Sequence, residues 1–171
     1  MKRETMDIAI ISICVSIASF ALSIAITVHN YLKERRNKIT FQANNISAWI
    51  GSRKKGCNIT LMNNTSTPVY NVVITIVFIQ GAGPRDGKSV PSSWRYRYIP
   101  PILPPEQHSC FIDFAGLYGM HARFGVEIAF TDCLNRNWVR SAQGKLIQIK
   151  FSPYTYYSLR APYELKGLVS N

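Results

Sequence analysis

The fold turns on Cys57-Asn58-Ile59-Thr60-Leu61-Met62, the six residues Asn63-Asn64-Thr65-Ser66-Thr67-Pro68, and the run Val69-Tyr70-Asn71-Val72-Val73-Ile74-Thr75-Ile76-Val77-Phe78-Ile79. Residues Asn58 to Met62 alternate apolar and polar. The later run is β-branched, with Val73, Thr75, Val77 and Ile79 facing opposite to Val72, Ile74, Ile76 and Phe78. Both patterns have the period of two that marks strands. The residues between them have turn composition, which predicts a hairpin or a corner where the chain leaves one sheet for another. Working outward, Ile39-Thr40-Phe41-Gln42-Ala43 alternates as a strand, and Ser109 to Phe114, Phe124 to Thr131, Trp138 to Arg140 and Lys145 to Phe151 follow. Asp132 to Asn137 is a turn that Asp132 is expected to cap, and Glu127 reads as an outward-facing strand carboxylate. No helical period is evident after residue 38, so the expected class is mainly β, an antiparallel β-sandwich.

Ahead of these strands, Ile8 to Val28 holds no charged residue, and its only polar side chains are Ser12, Ser16, Ser19, Ser23 and Thr27. At 1.5 Å per residue such a helix covers about 31 Å, the thickness of a hydrocarbon core. A cleaved signal peptide is the rival reading. The length of the apolar run, Glu4 and Asp7 in the N-terminal flank, and the basic sequence that follows favour an anchor. Lys33, Arg35, Arg36 and Lys38 outweigh Lys2 and Arg3, which predicts a single-pass helix at the cell inner membrane with the C-terminal part in the cytoplasm. The serines step by four, three and four residues along one helix face. They read as a helix–helix interface, the alternative being hydroxyls bonded to their own backbone. The expected division is a short segment 1–7, a membrane helix 8–30, a basic linker 31–38, a sandwich 39–151 and a Tyr/Pro-rich tail 152–171.

Three motifs carry a resemblance. Cys57 to Asn64 followed by Ser66 to Ile76, Leu103-Pro104-Pro105-Glu106 opening a strand, and Val126 to Asp132 running into a hairpin resemble bacterial immunoglobulin-like sandwiches of the CARDB type over residues 57–150. In that family Leu-Pro-Pro is typically followed by Gly, where this chain has Glu106, and the segment Gly81 to Arg97 is longer than the family pattern. The resemblance implies a fold, and through it a binding or spacing role without a named ligand.

The chain has 20 Lys and Arg against 9 Asp and Glu, a net charge of +11. Fourteen of the basic residues lie beyond residue 38, where only six acidic ones do. With a membrane close by, this excess argues for anionic lipid or nucleotide more than for nucleic acid. Arg53, Lys54, Lys55, Arg95 and Arg97 are the candidate contacts in the sandwich, beside Lys33, Arg35, Arg36 and Lys38 in the linker. In Trp94-Arg95-Tyr96-Arg97-Tyr98 the aromatics and arginines alternate, which reads as an amphipathic edge strand, or else as an anion site with stacking rings. No phosphate-binding loop or nucleophile elbow is present. His108 and Cys110 share a strand face, a pair that reads as structural before it reads as metal-binding or catalytic. No cofactor or metal is expected. The leading expectation is a non-enzymatic membrane-anchored module that binds a partner and associates through its helix. A defence-type membrane sensor of nucleotide or anionic lipid comes second, and a Cys/His enzyme third.

Overall fold

The computed structural model describes residues 2–52, 56–90, 96–113 and 121–170, with side chains at 13, 15–51, 56–90, 96–113 and 121–169. Two compact units emerge, Met1–Phe41 and Gln42–Asn171.

The first unit is helical. Helix α1 spans Lys2–Asn44, its last residues belonging to the second unit. Among the described residues it is the one helix long and apolar enough to cross a membrane. Phe20, Leu22, Ile24, Ile26 and Val28 are all exposed along it. The helix also corrects an expectation, because Ile39 to Ala43 is helical rather than extended. Extending an existing helix costs far less than starting one, and the Thr40 hydroxyl bonds the Arg36 carbonyl at 3.1 Å, one turn back. Period two over five residues was too short to outweigh that.

In the second unit, strands β1 (Ile46–Ser52), β2 (Cys57–Asn63), β6 (Glu106–Ile112) and β10 (Val169–Ser170) form a four-stranded antiparallel sheet in the order β1-β2-β6-β10. Strand β1 went unrecognised in the sequence. A six-stranded antiparallel sheet is built on β3 (Val69–Gln80) and β7 (Arg123–Thr131), continued by β8 (Asn137–Arg140) and β9 (Leu146–Ile149). The free edge of β3 is shared by β5 (Ile102–Leu103) at Val69 and Tyr70 and by β4 (Arg97–Tyr98) at Ile74 and Thr75. Since β2 and β3 lie in different sheets, the Asn63–Pro68 segment is a corner. Buried Asn63 holds it: Nδ2 donates to the Thr67 carbonyl at 2.9 Å and the Leu103 carbonyl at 3.2 Å, while Oδ1 accepts from the Thr65 hydroxyl at 2.6 Å.

The start of this unit is pinned by two long polar side chains. Gln42 Nε2 donates to Thr67 Oγ1 at 2.8 Å, and its Oε1 accepts from the Cys133 amide at 2.9 Å. Arg140 Nε donates to the Ile46 carbonyl at 2.7 Å, and Nη2 to the Ala43 and Asn44 carbonyls at 2.9 and 3.1 Å. The Ala43 and Asn44 carbonyls are ones that a helix end leaves without intrahelical partners, and a cation suits them.

Strands β3 and β7 are buried on both faces from Val72 to Phe78 and from Phe124 to Thr131. One face carries Ile74, Ile76, Ile128 and Phe130. The other is covered by the C-terminal segment, where Ser152 caps the short helix α2 (Pro153–Tyr156) and Tyr157 packs into a cluster with Val73, Ala129 and Val139. The Tyr/Pro-rich tail therefore contributes Pro153 and Tyr157 to the core. It then runs to the other sheet, adding β10 to the edge of β6 with Val169 opposite Ser109.

Candidate functional site

Under that C-terminal cover a polar row crosses the six-stranded sheet. Arg97 of β4 lies opposite Thr75 of β3, and Thr75 lies opposite Glu127 of β7. Alternation places all three on the Val73 and Ala129 face, the face Tyr157 covers. Arg97 is 4% exposed, Glu127 5% and Thr75 fully buried. This corrects two expectations together: Arg97 and Glu127 do point away from the inter-sheet core, but what they meet is tail and loop rather than water.

Glu127 Oε1 accepts from the Tyr157 hydroxyl at 2.7 Å and from the Gly87 amide at 2.8 Å. Burial pushes its carboxyl above the ordinary range, against the pull of those two hydrogen bonds and of Arg97. The Tyr157 phenol is pushed up as well, first by burial and then by the charge of Glu127. Only glycine fits at position 87, because a Cβ there would stand 2.4 Å from the Tyr157 ring and 2.6 Å from Glu127 Oε1. Loop residues 81–90 thus close over the row at a residue with no side chain to obstruct them.

Arg97 is the unusual member. Its Nη2 donates to the Gly87 carbonyl at 2.5 Å and the Val90 carbonyl at 3.3 Å, and its guanidinium lies 5.3 Å from the Tyr157 ring centre. Nε and Nη1 are buried without a hydrogen-bond partner, and with Thr75 Oγ1 they are the unpartnered buried side-chain atoms among the described residues. Each such group costs about 1–3 kcal/mol, and more where it is charged. Burial holds the Arg97 pKa below its ordinary value, with Tyr157 and Glu127 opposing, yet a guanidinium stays charged in a protein.

Two cavities meet at Arg97. The smaller, about 320 Å³, lies between Lys88, Val90 and the Tyr156–Ser158 segment. The larger, about 660 Å³, has Arg160, Lys166 and Glu164 on its wall together with Ile99, Leu159 and Pro162. The Lys166 amide donates to the Ile99 carbonyl at 3.0 Å, and the Tyr98 hydroxyl bonds the Gly167 carbonyl. The far wall is thereby stitched to β4.

The other residues singled out in the sequence are dispersed. Ser16, Ser19 and Ser23 are exposed on α1, where the Ser23 hydroxyl bonds the Ser19 carbonyl at 3.0 Å and Thr27 repeats this to Ser23 at 2.8 Å. Ser12 is helical, with its side chain outside the described residues. Lys33, Arg35, Arg36 and Lys38 are exposed, Lys38 pairing with Glu34 at 2.9 Å. Arg53, Lys54, Lys55 and Arg95 lie outside the described residues. Of the basic residues expected to contact an anion, Arg97 alone is brought to the cavity among those described. Arg160 and Lys166 were missed because they sit in a tail without strand or helix periodicity.

Cys110 is buried on β6, two residues beyond half-buried His108. Burial pushes the Cys110 thiol up to about 12, which keeps it protonated and poorly nucleophilic at neutral pH. His108 Nε2 lies 2.9 Å from the Pro105 carbonyl. Among the described residues no group of three or more His, Cys, Asp or Glu could hold a metal ion. Comparison of the chain with protein-family models, curated proteins and solved structures found no match.

Proposed function

We propose that the chain is a single-pass, membrane-anchored and non-enzymatic recognition module. In this reading α1 crosses the inner membrane, the two sheets are an immunoglobulin-like sandwich in the cytoplasm, and that sandwich binds a partner. The observation that carries the reading is the exposed apolar surface of α1, since a continuous surface of this kind is stable in lipid and not in water. Lys33, Arg35, Arg36 and Lys38 then stand at headgroup level, each worth about 1 kcal/mol against an anionic leaflet. Because Ser23 satisfies its hydroxyl within the helix, the Ser12, Ser16, Ser19 and Ser23 stripe acts mainly through small size, which lets a second helix approach. Glu106 supports the family resemblance. It has φ 81, a glycine-like conformation, at the position where the family has Gly.

Two measurements test this reading. The full chain should stay with membranes through alkaline carbonate washing, and release into the supernatant would refute the anchor. Replacing both Ser16 and Ser19 with Leu should weaken self-association in a membrane two-hybrid assay, while undiminished association would remove the stripe from the mechanism. A second reading, recognition of an anionic ligand by the sandwich, is favoured by the unpartnered nitrogens of buried Arg97.

A further inference from the structure

We propose that the larger cavity beside Arg97 binds an organic phosphate, its phosphoryl group held by Arg97, Arg160 and Lys166 and its organic body lying against Ile99 and Leu159. The proposal rests on the second reading above and does not depend on the anchor.

Charge comes first. The cavity wall carries three cations and one carboxylate, Glu164, whose nearest oxygen is 3.9 Å from Lys166 Nζ. The surplus of two positive charges matches a phosphate monoester, which carries about −1.5 to −2 near neutral pH. A carboxylate ligand would neutralise only half of it.

Arg97 supplies the second observation. Its guanidinium is fixed from one side by the Gly87 and Val90 carbonyls and by the Tyr157 ring, leaving Nε and Nη1 without partners. A buried cation held this rigidly has already met the ordering cost that a flexible surface arginine would incur on binding. Both nitrogens are shut off from the cavity, so Arg97 acts on the ligand through its charge, while Arg160 and Lys166 supply the charge-assisted hydrogen bonds to the phosphoryl oxygens. Thr75 Oγ1, also unpartnered, lies on the same face one strand away.

Size decides between a bare ion and a larger molecule. At about 660 Å³ the cavity is in the range of small-molecule sites and far larger than one phosphate ion needs. Its apolar wall gives the remainder of the ligand something to pack against. Two sources offer this chemistry, a soluble phosphate ester such as a nucleotide and the headgroup of an anionic phospholipid.

The full chain, purified in a neutral maltoside detergent, would be titrated with adenosine monophosphate and with inorganic phosphate while thermal unfolding is followed. It would also be placed in phosphatidylcholine nanodiscs with and without phosphatidic acid. Saturable stabilisation by the nucleotide, by phosphatidic acid or by both is expected, with inorganic phosphate clearly weaker. A response to the nucleotide alone assigns a soluble ligand, and a response to phosphatidic acid alone assigns the lipid headgroup. The Arg160→Ala/Lys166→Ala variant should unfold at the wild-type temperature without ligand and bind about tenfold weaker or worse per lost cation. Arg160→Glu, a change at an exposed position, should abolish the response by itself. Absence of saturable stabilisation by any organic phosphate, equal binding of inorganic phosphate, or unchanged affinity in both variants would overturn the proposal. Carbonate extraction of the same protein scores the anchor separately.

Discussion

At the scale of single residues, Glu127 and Asp132 show what alternation and turn chemistry can foretell. Asp132 was expected to cap its turn, and it does. It is 1% exposed, Oδ1 accepts from the Leu134 and Arg136 amides at 2.9 and 2.8 Å, and Oδ2 accepts from Arg136 Nε at 2.8 Å and Trp138 Nε1 at 3.0 Å. A short Asp in a turn serves its own neighbours, so adjacent sequence contains most of the information. Glu127 differs, because its face follows from period two while its burial follows from Tyr157, thirty residues away. Since burial raises its folded pKa above the ordinary 4.5, its contribution to stability is fully present below about pH 4.5 and is lost as pH rises through the raised value. Glu127→Gln keeps an Oε1 acceptor for Tyr157 and Gly87 but cannot ionise. Its melting temperature should therefore gain on that of the wild type as pH increases from 4.5 towards 8. Parallel melting curves over that range would show that Glu127 ionises alike in the folded and unfolded chains, and so that burial does not raise its pKa.

At the scale of elements, the C-terminal segment departs furthest from its appearance in sequence. Tyr- and Pro-rich, without a period of two or 3.6, it is too aromatic for plain disorder and by sequence fits either the surface of the sandwich or that of the membrane. The structure uses its rings as a lid on the six-stranded sheet, with Tyr157 in the Val73, Ala129 and Val139 cluster and Tyr154 stacked on Tyr163 at 4.3 Å. Both faces of β3 and β7 are buried because both are covered, a pattern usual for central strands. Tyr157→Ala should cost about 3–5 kcal/mol, as for other large aromatic truncations in a core, readable as a drop in urea midpoint. Tyr157→Phe, losing only the hydroxyl bond to Glu127, should cost about 1–3 kcal/mol. Equal, small losses in the two variants would mean that the segment is not part of the cooperative unit. The misread stretch Ile39–Ala43 belongs to this scale too. Five alternating residues fit either element, and the preceding helix, with Gln42 anchored at Thr67 and Cys133, settled it.

For the whole molecule, the proposed anchor puts the second unit on one side of a membrane, and the cysteines can report which. Cys57 and Cys110 are buried, whereas Cys133 is exposed in the β7–β8 turn. With the sandwich in the cytoplasm, a membrane-impermeant maleimide should leave Cys133 unlabelled in spheroplasts and label it after lysis. Labelling before lysis would invert the orientation. From local order alone the sequence determined the apolar N-terminal helix, the strands β2, β3, β6, β7, β8 and β9 within a few residues, the break at Asn63–Pro68, though not whether it was a hairpin or a corner, and the Asp132 turn. Each rests on periodicity or on side chains bonding within a few positions, interactions that neighbouring residues suffice to specify. Tertiary structure alone decided that Arg97, Thr75 and Glu127 form a buried row, that Tyr157 and the Gly87 loop cover it, and that Arg97, Arg160 and Lys166 border one cavity. Those outcomes depend on contacts between segments about twenty to seventy residues apart, and whether a strand's second face meets water or another part of the chain is invisible to its own alternation.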